Sequence, residues 1–200
     1  MNKFSLGQTK SIKENVAGEI PENARVLEIG CGTGELAAML LNQGATVTAF
    51  DANPAMVEMA RKRFENLNFK NKLTIGEMGV EGMDGLPSAF YDAVVATLVF
   101  SELSEDERRF ALKHSLRVLK HGGILVIADE VVPRKAVGKL LQFLTRIPML
   151  ALAYLVSRTS TRPLADLPGE MKTAGFTIQK EVRTQGDAFA EVVARVSEKQ

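Results

Sequence analysis

The 200-residue sequence has no tryptophan, one cysteine, two tyrosines and two histidines. A single cysteine excludes an internal disulfide and fits a reducing, cytoplasmic setting. Neither His114 nor His121 has a partner at metal-ligand spacing, so no metal site is expected. His114 falls within a helical run and reads as a surface residue; His121 falls at that run's basic C-terminal end. The formal net charge is +1, which gives no long-range field favouring nucleic acid. Long hydrophobic runs are missing too. The longest, Met149 to Val156, is far short of the roughly 20 residues that span a bilayer. The segment Met1 to Gly7 lacks the apolar centre of a secretory signal. No repeat or Pro/Gly/Ser linker divides the chain, so residues 1–200 read as a single domain.

What is present is alternation. Helical periodicity over Gln8 to Ile20 precedes a β-branched run, Arg25 to Ile29, and a helix, Glu35 to Asn42. A strand over Thr46 to Phe50 follows, then a helix from Pro54 to about Asn66 and a strand over Lys72 to Gly76. Tyr91 to Val99 has the near-continuous apolar character of a strand covered on both faces. Ser104 with Glu107 predicts a capping box for a helix closing at Lys120-His121-Gly122-Gly123, before a strand over Ile124 to Ala128. Pro163 to Ala174 predicts another helix. Strands at Phe176–Arg183 and Ala188–Ser197 lack a helix between them and predict an antiparallel hairpin. Five βαβ-type units ending in such a hairpin predict an α/β, three-layer, Rossmann-like fold. Its sheet is mixed and seven-stranded, with the last strand antiparallel.

The most specific string is Glu28-Ile29-Gly30-Cys31-Gly32-Thr33-Gly34. Glycines leaving a strand let the backbone turn sharply and approach a ligand closely. Asp51, ending the next strand, is the residue type that accepts hydrogen bonds from ribose hydroxyls in adenosine cofactors. Gly30, Gly32 and Gly34 are spaced G-x-G-x-G, with Glu35 where a dinucleotide fingerprint wants its third glycine. Cys31, inside the loop, reads as a small apolar packing residue. After the third strand, Glu77 is placed to accept from an adenine amino group and Met78 to pack on the ring, with Glu81 or Asp84 as alternative acceptors.

Taken with Tyr91 to Val95 and Leu116 to Ile127, these strings resemble the motifs of class I S-adenosylmethionine (SAM) methyltransferases over residues 20 to 130. The resemblance implies a SAM pocket over the C-terminal ends of the first four strands, yielding S-adenosylhomocysteine as product. Gly30, Gly32 and Gly34 would meet the methionine part, Asp51 the ribose, and Glu77 and Met78 the adenine. Ala52, Met56 and Thr97 would also line the pocket. SAM carries no phosphate and has a cationic sulfur, so a carboxylate at Glu28 is tolerable or useful there. The acceptor side would follow strands four and five, where Glu102, Asp129 and Glu130 are candidate bases or acceptor-binding carboxylates; each could equally be a solvated cap.

Between Glu130 and Asp166 the chain has no acidic residue, and an apolar stripe runs through it. This predicts a helical insert over about 134–162. It could form a lid over a hydrophobic acceptor pocket, a homodimer or partner surface, or a peripheral membrane helix. The strings Thr97 to Leu103, Asp129 to Arg134 and Thr161 to Leu164 resemble the corrinoid-protein-associated methyltransferases, which implies a corrinoid protein as partner. Quinone-biosynthesis C-methyltransferases share the core arrangement and would account for the insert through a lipid-tailed substrate. The expected activity is methyl transfer to a small, hydrophobic or corrinoid-linked acceptor, with quinone or lipid C-methylation as the alternative. A SAM-binding partner protein without catalysis is the rival of another class, and a nicotinamide oxidoreductase is disfavoured by the loop spacing and the terminal hairpin.

Overall fold

The computed structural model describes residues 6–67, 69, 71–134 and 162–196. The expected helical stretch Lys135 to Arg158 lies outside them. A helix α1 (Leu6–Gly18) precedes β1 (Arg25–Ile29), α2 (Glu35–Asn42), β2 (Thr46–Asp51), α3 (Pro54–Phe64) and β3 (Leu73–Glu77). A 3-10 helix (Val80–Gly85), β4 (Tyr91–Thr97), α4 (Glu105–Val118) and β5 (Leu119–Glu130) follow. The last described elements are α5 (Leu167–Thr173), β6 (Phe176–Thr184) and β7 (Phe189–Val196).

The seven strands lie in the order β3-β2-β1-β4-β5-β7-β6. The pairings from β3 across to β5 are parallel, and β7 is antiparallel to both β5 and β6. The hairpin therefore enters with its second strand inward and leaves β6 at the edge. Strand order reverses between β1 and β4, the place where open α/β sheets bind ligands beyond their carboxyl ends.

Period-two alternation divides the core into two layers. Val26, Ala93, Val95, Val126 and Ala128 face Ile12, Val16, Leu36 and Leu40 of α1 and α2. Leu27, Ile29, Val94, Ala96, Leu125 and Ile127 face Leu112 and Val118 of α4, Met83 of the 3-10 helix and Met171 of α5. Glu28, between Leu27 and Ile29, therefore projects toward α1 and α2.

Three expectations need correction. Helix α4 starts at the capping box of Ser104 and Glu107 but stops at Val118, and Leu119 is already extended, with φ −70° and ψ 140°. Lys120-His121-Gly122-Gly123 is consequently strand and not helix end, because Leu119 pairs with Tyr91 and the register slips before Ala93 meets Ile124. His121 lies exposed in β5. Second, the link between β3 and β4, where the sequence marks no helix, carries a 3-10 helix. Arg117 of α4 fixes that segment by donating to the carbonyls of Met83, Asp84 and Leu86. Third, the helix expected from Pro163 starts at Leu167. Leu164 pairs instead with Val131 as an isolated bridge, and Asp166 caps the helix through the Gly169 amide.

Candidate functional site

The carboxyl ends of β1, β2 and β4 converge on the glycine loop. The Cys31 amide donates to the Phe50 carbonyl, and the Gly32 amide donates to Asp51 Oδ2 at 2.8 Å. Asp51 Oδ1 accepts from the Asn53 amide at 2.8 Å. Asn53 in turn caps α3 by accepting from Ala55, with Pro54 in the first turn. Asp51 is thus held by backbone amides on both oxygens, and each oxygen keeps a second lone pair for a ligand hydroxyl.

Gly30, Gly32 and Gly34 all have left-handed backbones, with φ of 67°, 52° and 77°. Their surroundings differ. A Cβ on Gly30 would lie 2.7 Å from Val99 Cγ2, and one on Gly34 2.8 Å from Phe64. A Cβ on Gly32 would meet nothing within 4 Å. Protein packing demands glycine at the first and third positions. At the second, the side-chain direction opens into free space, as an incoming ligand would require.

Glu28 is 1% exposed, and its Oε2 has no hydrogen-bond partner. Burial raises its carboxyl to about 8, with Asp51 adding to the rise while Lys13 and the Ala37 amide oppose it. Lys13 is committed elsewhere, to Glu35 at 2.6 Å. Cys31 is buried, and burial with the charges of Glu28 and Asp51 pushes its thiol up to about 12. It is inert as a nucleophile and packs as expected.

Thr97 ends β4 buried, and Leu98 after it takes a left-handed φ of 57°. A leucine rarely adopts that conformation, and strain of this kind collects at ligand sites. Glu77 ends β3 opposite Asp51, exposed, and the half-buried Met78 donates its amide to the Asp51 carbonyl. Ala52 is exposed and Met56 half-buried at the start of α3.

On the other side of the β4 end, Asp129 is fully buried on β5. It accepts from the Ser101 amide at 3.1 Å and the Glu130 amide at 2.7 Å. Burial raises its carboxyl to about 6, against those stabilising bonds. The Ser101 carbonyl accepts from the Arg162 amide at 2.8 Å, so Arg162 lies beside the same loop. Glu102 is exposed, yet partial desolvation and then the like charges of Asp129, Asp51 and Glu130 raise its carboxyl. The dependence of Glu102 on both Asp51 and Asp129 puts the three acceptor-side carboxylates and the cofactor-side one in a single electrostatic neighbourhood. Asp129 is too enclosed to meet a substrate directly in this conformation, whereas Glu102 is open.

Ser101, Val99, Asn53 and Lys13 were missed by sequence reasoning. Asn53-Pro54 carries a helix-start signal that could have found the first of the Asp51 amide donors. No local signal marks the others, which depend on contacts between distant strands.

Parallel strands meeting a glycine loop at the reversal of strand order, closed by an antiparallel β7, define a Rossmann-like methyltransferase fold. Residues 26–123 match the family model described as "Methyltransferase domain". Over these residues the chain is similar to class I SAM-dependent methyltransferases. It is 29% identical over 154 residues to the demethylmenaquinone methyltransferase of Chlorobaculum parvum, covering 75% of this chain and 59% of that protein. The malonyl-[acyl-carrier protein] O-methyltransferase of a Paenibacillus species is 35% identical over 118 residues, 58% of this chain and 41% of that one. The chain thus spans well under two thirds of the length of these relatives. Among solved structures, the [4+2]-cyclase SpnF superposes with a TM-score of 0.74 at 19% identity, over 94% of this chain and 82% of that one. The cyclase is a reminder that this fold does not by itself dictate methyl transfer. Among the described residues, no helix is long and apolar enough to cross a membrane, and no group of histidine, cysteine and carboxylate side chains could hold a metal ion.

Proposed function

We propose that the chain is a SAM-dependent methyltransferase whose acceptor is small, apolar and uncharged, of the quinol type. The observation that carries the acceptor reading is the charge of the acceptor side. Glu102, Asp129 and Glu130 lie in one neighbourhood, where partial desolvation first and then the like charges of Asp129, Asp51 and Glu130 raise Glu102. An anionic acceptor would add to that repulsion; a neutral hydroxylated one would meet a carboxylate suited to take its proton. The malonyl relative takes its name from a carboxylate-bearing substrate, and the demethylmenaquinone relative from a quinone-type one. The acidic mouth favours the second kind.

SAM, when bound, supplies a methyl carbon made electrophilic by its cationic sulfur. Gly30, Gly32 and Gly34 present backbone to the methionine part, with room over Gly32 for close approach. Asp51 offers its spare lone pairs to the ribose, and Met78 and Glu77 border the adenine side. Thr97 and strained Leu98 shape the floor between cofactor and acceptor. Glu102 accepts the acceptor's proton as the new bond forms; its raised carboxyl lies closer to the working pH, where a general base is most effective. Asp129 holds the loop that carries Glu102. Most of the acceleration comes from aligning nucleophile and methyl carbon in a site closed to water.

The corrinoid-linked acceptor rests on the resemblance of three short strings, and the insert over about 134–162 keeps its three readings. The rival without catalysis, a SAM-binding partner protein, would share the glycine loop and Asp51. Incubation with SAM and a panel of acceptors, followed by mass spectrometry of S-adenosylhomocysteine, separates these readings. The proposal expects turnover with a reduced demethylated quinone and none with a malonyl thioester. Turnover with the malonyl thioester alone would overturn the acceptor class, and SAM binding without turnover on any acceptor would favour the partner protein.

A further inference from the structure

We propose that Glu28 is protonated in the cofactor-free protein and gives up that proton when SAM binds, so that the pocket distinguishes SAM from S-adenosylhomocysteine by charge. The inference rests on the placement of SAM over the glycine loop.

The geometry around Glu28 is that of a carboxyl without a counter-ion. It projects from β1 into the layer between the sheet and helices α1 and α2, with Ala49 and Val95 beside it on the flanking strands. One oxygen takes the Ala37 amide in the first turn of α2, and Oε2 has no partner. The charged groups that face it are few. From α1, Lys13 is the one cation acting on it, and that ammonium is paired with Glu35 of α2. Arg63 of α3 also leans on Glu35, at 3.7 Å. From β2, Asp51 contributes negative charge, and the loop between contributes Cys31, a neutral thiol. From β4, Thr97 is polar and uncharged. A buried carboxylate in such surroundings is costly, and the group stays neutral instead.

SAM brings an ammonium, a sulfonium and a carboxylate, hence one net positive charge, to the loop that starts two residues beyond Glu28. That charge removes the reason for Glu28 to stay protonated, and its proton passes to solvent. S-adenosylhomocysteine has lost the sulfonium charge and carries no net charge, so its binding releases less. After methyl transfer the carboxylate again lacks its counter-charge, which favours product departure. Conserved charge balance thus links affinity to pH. With a carboxyl titrating at about 8, roughly nine tenths of the molecules hold the proton at pH 7. The SAM association constant should therefore rise about tenfold per pH unit below pH 8, down to the value Glu28 takes in the complex. The affinity ratio of SAM to S-adenosylhomocysteine should rise with it.

The test is titration calorimetry of the full chain with SAM in buffers of different ionisation enthalpy, which counts protons released. At pH 7 the wild type should release close to one proton per SAM. Glu28→Gln should lose most of that release, and its SAM affinity should be flatter in pH; any proton from the ammonium of SAM itself persists in this variant and is subtracted. No buffer dependence in the wild type, or an undiminished count in Glu28→Gln, overturns the proposal. Should Glu28→Gln not fold, Lys13→Met serves: removing the cation that lowers Glu28 raises it further, so the release at pH 8 should climb from about half a proton toward one. An unchanged count there overturns it equally. Gly32→Ala distinguishes this failure from that of the site. If Gly32→Ala leaves SAM affinity intact, the loop placement is wrong; if it weakens binding while proton release ignores Glu28, Glu28 alone is excluded.

Discussion

Replacing each glycine of the loop by alanine, one at a time, separates folding from cofactor binding. All three have positive φ, so alanine at any of them carries a left-handed penalty of roughly 1–2 kcal/mol. At Gly32 that is the whole structural cost, since no atom lies within 4 Å of the new methyl. At Gly30 and Gly34 the methyl would sit 2.7 Å from Val99 and 2.8 Å from Phe64, and relieving such overlap adds roughly 1–3 kcal/mol. In a chain of this size each kcal/mol lowers the melting midpoint by about 2–4 °C. Gly32→Ala should therefore melt roughly 2–8 °C lower, and Gly30→Ala and Gly34→Ala lower still, about twice as far. SAM affinity should follow another order: Gly32→Ala, the least destabilised, should still lose at least tenfold, because its methyl occupies the open approach. Scanning calorimetry gives the first ranking and titration calorimetry the second. If Gly32→Ala binds SAM as the wild type does, or if the three variants melt together, the division between packing and ligand approach is wrong.

Further expectations can be checked with the same preparations. Asp51→Asn should keep the fold and lose SAM affinity by about 1–3 kcal/mol, the scale of a charged hydrogen bond, as read by titration calorimetry. Glu102→Gln should bind SAM normally and lose about 10²–10⁴ in turnover, with the wild-type rate rising as pH climbs through the raised Glu102 value. Cofactor-free stability should fall as pH rises. Glu28 and Asp129 both titrate higher folded than unfolded, so the native state binds more protons; their contribution is complete below about pH 4 and lost through about 6 for Asp129 and about 8 for Glu28. The unfolding free energy should drop between about pH 4 and 8, by several kcal/mol at most, with the melting midpoint following it, and the decline should stop above about pH 7 in Glu28→Gln. Ser104→Ala should cost about 1 kcal/mol of stability through the lost capping box, without changing SAM affinity.

The cofactor half of the molecule was legible because its signals are local. Arg25–Ile29 and Glu35–Asn42 came out to the residue, since a β-branched run, three glycines and an amphipathic octet punctuate one another. Ser104 with Glu107 marked the start of α4 for the same reason. Its end was misread because basic residues and paired glycines after Leu119 imitate a helix stop. The deciding interaction, Leu119 opposite Tyr91 with a register slip, joins strands far apart in sequence. The 3-10 helix over Val80–Gly85 depends in the same way on Arg117 reaching across from α4. On the acceptor side the carboxylates were readable as candidates from their position after the strands. Their division of labour was not, because the burial of Asp129 and its bond to the Ser101 amide exist only once β4 and β5 are paired. Glu28 was singled out for its place before the loop, while its missing counter-ion reflects Lys13 turning to Glu35 on another helix.

If this loop holds SAM for methyl transfer, both products of one reaction depend on it. SAM labelled in its methyl group is incubated with the protein and a reduced demethylated quinone, and labelled acceptor and S-adenosylhomocysteine are quantified together. The two should appear in equal amounts, and both should fall sharply with Gly32→Ala. Equal amounts unaffected by Gly32→Ala, or SAM bound at the loop with neither product formed, would contradict it.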